Sequence, residues 1–249
     1  GFRGIQSGKR FSRNRIDVIP VGAVETASRL FRHDDIEGLG RTLQDIQYGC
    51  GTVFRQACHG QSHQAYLHQC HLQGLKVSKD DLYLWADYIC NIFMFARISK
   101  YDRSLVKEQK SLDKYYCIDN GMRGAVLMPQ SNDNGKNLEN TVFMQLNRMR
   151  LPSDKITYYQ GNCECDFVLQ REDNVIQLIQ VTWDMVDAST REREIKGLLE
   201  AASVTGCENL IIVTKDEENT FNREGKEIKV IPAWKWVLLF SCHDFAEFK

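Results

Sequence analysis

One stretch, Lys136 to Trp183, constrains the architecture more than any other, because the period of its apolar pattern changes once and then stays changed. From Lys136 to Met149, Leu138, Val142, Leu146 and Met149 recur at helical spacing, which predicts one face of an amphipathic helix with Glu139 near its start. In KITYYQ, Ile156, Tyr158 and Gln160 alternate with Thr157 and Tyr159; CECDFVLQ is β-prone around Phe167 and Val168; and NVIQLIQVTW is rich in branched residues. The expected order is a helix followed by three strands, in an α/β domain.

That order, with Glu139 on the helix, Asp166 on the second strand and Gln180 and Thr182 on the third, resembles the core of the PD-(D/E)xK nuclease fold. The segments LENTVFMQL, CECDFV, LIQVTW and TREREIKGLLEA are similar, in the same order, to a C-terminal domain of unknown function. In a large family of prokaryotic AAA-type ATPases that domain follows the ATPase module. The resemblance runs from Tyr115 to Phe240, with a looser extension back to Gly74. It implies a nuclease-like α/β domain over 121–249, a mixed sheet flanked by helices, preceded by a winged-helix-like segment over 74–120. ATP would be handled by a module upstream of this chain.

Active members of that fold hold a hard divalent cation, Mg2+ or Mn2+, between carboxylates on the helix and the strands. The ion clamps a phosphate and acidifies a water, while a lysine on the third strand orients or deprotonates that water. Where the family motif has Glu-x-Lys, this chain has Gln180, Val181 and Thr182. Gln180 offers a carbonyl oxygen without charge, and Thr182 is neither a cation nor a base near neutral pH. The resemblance therefore implies a degenerate site at Glu139, Asp166, Gln180 and Thr182, with Glu139 and Asp166 as the remaining metal ligands. The leading expectation is a non-catalytic module that docks DNA or a partner protein for the ATPase. The alternative is a divalent-metal-dependent DNA endonuclease with Glu139, Asp166 and Gln180 around the ion.

Upstream of the core, Ser78 caps a predicted helix from Lys79. Asp80 and Asp81 lie in its first turn, and Leu82, Trp85, Ile89, Ile92 and Phe93 form its stripe. FMFARISKYD and DKYYCID read as two strands around a basic linker, and helix plus hairpin is what resembles a winged helix. Lys76, Lys79, Lys100, Arg103, Lys107 and Lys110 are candidate phosphate contacts, against the plainer reading of a solvated basic surface. Downstream, Thr190 to Ala202 is a predicted helix with Thr190 as its cap and Glu194 in its first turns, burying Ile195, Leu198, Leu199 and Ala202. ENLIIVT is a buried strand, parallel to the third because a helical crossover joins them. Asp216 to Lys226 is a polar hairpin or loop with Asn222 and Gly225 as turn formers, IKVIP a last strand, and Trp234 to Phe240 a short helix whose indoles pack on the sheet.

Residues 1–73 read differently. GIQSGKR lacks the first glycine and the final Ser or Thr of a phosphate loop, so it is not a Walker A motif. Between Gly49 and His71, cysteine, histidine and glutamine cluster without an apolar period. Cys58, His59, His63, His68, Cys70 and His71 are chemically able to ligate zinc, which makes 50–71 a candidate zinc-binding module, although their spacings match no paired arrangement. The same composition is that of an out-of-frame translation, and the segment is expected to be irregular. A net charge of −1 gives no bulk attraction to nucleic acid, so a local basic patch would have to supply it. There is no run of 18 apolar residues and the start lacks an apolar leader, which leads to the expectation of a cytoplasmic chain without a membrane partner. Nine cysteines, an odd number at irregular spacing, point to free thiols, and Cys163 and Cys165 are placed on one face of a strand.

Overall fold

The structure is a computed structural model that describes residues 78–104, 108, 111, 113–126 and 133–242. The irregular segment expected over 1–73, and with it the zinc reading of 50–71, lies outside the described residues. In chain order the elements are α1 (Lys79–Asn91), β1 (Phe95–Ile98), β2 (Lys114–Cys117), α2 (Asn120–Val126), α3 (Asp133–Met149), β3 (Asp154–Gln160), β4 (Glu164–Arg171) and β5 (Asn174–Val181). They continue with α4 (Ala188–Thr205), β6 (Leu210–Thr214), β7 (Asn219–Arg223), β8 (Lys226–Pro232) and α5 (Ala233–Cys242).

Six strands form one mixed sheet in the order β3-β4-β5-β6-β8-β7. The β3, β4 and β5 strands are antiparallel neighbours, and β6 runs parallel to both β5 and β8. The crossover α4 joins β5 to its parallel neighbour, as a helix must where no tight turn can connect parallel strands. Both sheet faces are covered. On one face Val142, Phe143 and Leu146 of α3 and Trp236 of α5 pack with Ile156, Phe167, Ile179, Ile211 and Val213. On the other, Ile195, Leu198, Ala201 and Ala202 of α4 pack with Val168, Leu178, Leu210, Ile212 and Val230. Burial on two faces is why LIIVT is apolar at consecutive positions instead of alternating. No helix among the described residues is long and apolar enough to cross a membrane.

The β1–β2 pair is a separate two-stranded antiparallel sheet, yet Ile98 and Tyr116 belong to the core on the α3 side. The chain leaving β1 ties it to the edge of the large sheet: the Tyr158 N–H donates to Ser99 O at 3.1 Å and the Tyr101 N–H to Tyr158 O at 2.6 Å. Asn140, buried on α3, donates to Cys117 O at 2.8 Å and to Asn120 Oδ1 at 2.9 Å. These bonds fix α3 against the end of β2 and set the position of everything β2 carries.

Several local expectations change. The stripe of α1 stops short of Phe93, which has φ 59° and is 78% exposed; Ile89 is buried. The cap of α4 is Asp187, whose carboxylate accepts the Thr190 N–H at 2.8 Å, because Asp satisfies a first-turn donor more strongly than Thr. Asn222 pairs with Glu227 inside the β7–β8 ladder, and the turn falls on Glu224 and Gly225, both at positive φ. Of the two indoles only Trp236 is buried; Trp234 is 61% exposed. Cys163 precedes β4, in a turn whose N–H groups at Asn162 and Cys163 are held by the Glu200 carboxylate, so it shares no strand face with Cys165.

Candidate functional site around Lys114

The β2 strand reads Lys-Tyr-Tyr-Cys, and strand alternation puts Lys114 and Tyr116 on one side. Tyr116 is buried there, its ring stacked on Phe143 of α3 at a centroid distance of 4.3 Å and tilted against Phe167 of β4 at 5.4 Å. With the ring so held, its hydroxyl donates to Glu139 Oε1 at 2.7 Å. Lys114 extends alongside into a cluster of carboxylates. Its Nζ is 3.8 Å from Glu139 Oε1 and 3.6 Å from Asp166 Oδ1, and it makes its closest ion pair with Glu164. The same ammonium lies 5.0 Å from the centre of the Tyr158 ring, within cation–π range.

Asp166 stands where the β4–β5 ladder gives out. The last paired residues at that end are Phe167 and Ile179, and beyond them side chains replace the backbone rung. The Asp166 N–H donates to Gln180 Oε1 at 3.1 Å, and the Asp166 carboxylate accepts the Val181 N–H at 2.9 Å. Two backbone donors that the β4–β5 ladder leaves unpaired are thereby satisfied. Gln180 passes the connection to the other side of the sheet: its Nε2 donates to Glu194 Oε2 of α4 at 2.5 Å, and Arg193 donates to the second oxygen of Glu194 at 2.6 Å. Thr182 points elsewhere, its hydroxyl donating to Asp184 O at 3.0 Å.

Burial would discharge Lys114, but the charges of Asp166, Glu139 and Glu164 outweigh it and hold the ammonium protonated well above its ordinary range. Burial, and next the charge of Glu139, push Asp166 from 3.8 up to about 8, against the opposing pull of Lys114 and the Val181 N–H. Tyr116 is raised by burial and by Glu139, so it stays a hydrogen-bond donor. The Asp166 side chain is 11% exposed while that of Glu164 is 42% exposed, so the cluster is deepest at Asp166 and open at Glu164.

The sequence-expected residues are thus only partly assembled. Glu139 and Asp166 come together about one ammonium, and Gln180 adjoins Asp166 through the backbone, but Thr182 takes no part in these bonds. Lys114, Tyr116 and Glu164 were not foreseen. The signal for Glu164 was the same alternation that was applied to Cys163 and Cys165, read one residue out of step. For Lys114 it was a lysine two residues from a core tyrosine on a four-residue strand. Of the candidate phosphate contacts, Lys76, Lys107, Lys110 and the Lys79 side chain lie outside the described residues. Lys100 sits in an isolated bridge to Tyr158, and Arg103 donates to Val204 O at 2.5 Å, in the last turn of α4 where the helix dipole favours a cation.

Among the described residues no three His, Cys, Asp or Glu side chains are arranged to hold a metal ion together. A divalent ion such as Mg2+ commonly takes one or two protein carboxylates and completes its shell with water and phosphate, and the Glu139 and Asp166 donor pair is chemically suited to that.

No family model matches the chain, and no solved structure matches it. Over 173 residues it is 29% identical to the uncharacterized protein MJ1544 of Methanocaldococcus jannaschii, a match that takes in 66% of this chain and 38% of that protein. The chain therefore matches well under half the length of this relative.

Proposed function

We propose that the described domain is a nuclease-like module of the PD-(D/E)xK type, acting on nucleic acid with Mg2+ or Mn2+, and that it forms the C-terminal part of a prokaryotic AAA-type ATPase preceded by a winged-helix-like segment. The observation that carries this reading is the Lys114 ammonium lying within 4 Å of both Glu139 and Asp166. The lysine missing from the third strand is supplied by β2. The element order also supports it: helix, three antiparallel strands, helical crossover and a parallel strand, with the acidic residues at one end of the sheet. A divalent ion at Glu139 and Asp166 would supply Lewis acidity toward a phosphoryl oxygen and a bound water of lowered pKa. Lys114 contributes positive charge beside a phosphate that gains negative charge in the transition state. Tyr116 orients Glu139 through its hydroxyl, and Gln180, anchored by Glu194, fixes the backbone that carries Asp166.

A second reading, a non-catalytic module for nucleic acid or a partner protein, is favoured by the neutral Gln180 and Thr182 on the third strand. Supercoiled plasmid incubated with the full chain and Mg2+ or Mn2+ separates the two. Nicking that disappears in Asp166→Ala and Glu139→Ala supports the enzyme. Salt-dependent DNA binding in EDTA without nicking supports the binding module, and neither activity leaves the nucleic-acid reading without support.

A further inference from the structure

We infer that Lys114, ion-paired with Glu164, is also the resident counter-ion of the Glu139–Asp166 pair, and that its charge opposes a divalent cation at those two carboxylates while the ammonium stays on Glu164. The inference rests on reading Glu139 and Asp166 as a divalent-cation site, and it concerns what this chain does before the cation arrives. Lys114 Nζ is 3.8 Å from a Glu139 oxygen and 3.6 Å from an Asp166 oxygen, near both and in hydrogen-bond contact with neither. An ammonium and a dication cannot share those two oxygens without strong repulsion at such short range.

Lys114 has a partner of its own outside the pair. Its closest ion pair is already to Glu164, the most exposed acid of the cluster, which holds the head group off the other two carboxylates while the backbone stays paired in β2. Glu139 does not depend on the lysine for its position, because the Tyr116 hydroxyl holds the same oxygen. Asp166 likewise keeps the Val181 N–H on its other oxygen. Both carboxylates therefore stay aimed with or without the ammonium, and Lys114 on Glu164 lies beside such an ion and not on it, where a phosphate could meet both. The arrangement gives the apo protein one fixed positive charge among three acids and makes cation affinity depend on a lysine outside the three-strand motif.

The test is Mn2+ binding to the full chain without nucleic acid, measured by titration calorimetry and by the Mn2+-induced rise in Tm. Lys114→Met, which keeps length and removes charge, is expected to bind Mn2+ about tenfold or more tightly than the native chain, and Lys114→Arg to bind no more tightly than it. Glu139→Gln and Asp166→Asn are expected to bind at least tenfold more weakly. If removing the ammonium leaves three unpaired acids and Lys114→Met is unstable in EDTA, the expected signature is a larger Mn2+-induced rise in Tm than the native chain shows. Native binding that is abolished by Glu139→Gln but unchanged or weakened in Lys114→Met would overturn the opposition by Lys114 and leave the cation site standing. Failure of both the native chain and Lys114→Met to bind Mn2+ would overturn the cation site and the opposition together.

Discussion

Replacing Asp166 by Asn tests the electrostatics of the cluster in the folded protein, with no substrate and no metal. The carboxyl has an ordinary value of 3.8 and stands at about 8 in the fold. Between those values the folded state holds a proton that the unfolded chain has released, so stability falls as pH rises through this window. At about 1.4 kcal/mol per pH unit, the loss attributable to Asp166 between about pH 5 and pH 8 is on the order of 4 kcal/mol. Asn keeps the shape and an oxygen for the Val181 N–H but does not titrate; its amide faces Lys114 less well, a cost that is the same at every pH. Urea unfolding in EDTA across that range is the assay, and with a slope of about 2 kcal/mol per molar the predicted divergence is roughly 2 M in midpoint. Native protein should lose stability relative to Asp166→Asn as pH rises, and other titrating groups cancel in the comparison unless they couple to Asp166. Parallel pH profiles for the two proteins would refute the argument and show that Lys114 and the Val181 N–H fully offset burial and Glu139.

Gly197→Ala should destabilise by about 3 kcal/mol or prevent folding, because its Cβ would lie 2.1 Å from the Glu164 carbonyl oxygen, a backbone atom that cannot move without shifting β4; expression level and urea midpoint report it. Glu194→Ala should cost about 1–3 kcal/mol in urea unfolding, since it leaves the buried Gln180 amide without its acceptor; Glu194→Gln, which keeps one oxygen, should cost less. Asp154→Ala should cost about 1.5–3 kcal/mol by removing the charged hydrogen-bond partner of the part-buried Arg171. Burial pushes Asp154 up, but the Arg171 and Leu151 hydrogen bonds outweigh it and hold it below 3.8. Its stabilising effect is therefore present above the ordinary carboxylate value and lost as pH falls through the lower folded one, so the native and variant curves should converge in acid.

The local pattern of the chain determined most of the segments that are helix or strand and the faces they bury, the helix Asn120–Val126 excepted. Leu138, Val142 and Leu146 repeat with the period of a helix, and the alternation of KITYYQ and the branched run of NVIQLIQV need no distant partner to be read. The parallel pairing of β5 with β6 also followed from local information, because the length between them is that of a helical crossover. What only the tertiary structure decided is who meets whom at the end of the sheet. Lys114 reaches Glu139, Glu164 and Asp166 because Tyr116 is wedged between Phe143 and Phe167 and because the stretch after β1 is sewn to β3. Gln180 bridges the Asp166 N–H and Glu194 where the β4–β5 ladder stops at Phe167 and Ile179, and the Thr182 hydroxyl turns to Asp184. Ion pairs and side-chain bridges carry no periodic signature. Their partners are set by how separately formed elements pack, and a charge on a short strand looks the same in sequence whether it ends in water or among three carboxylates.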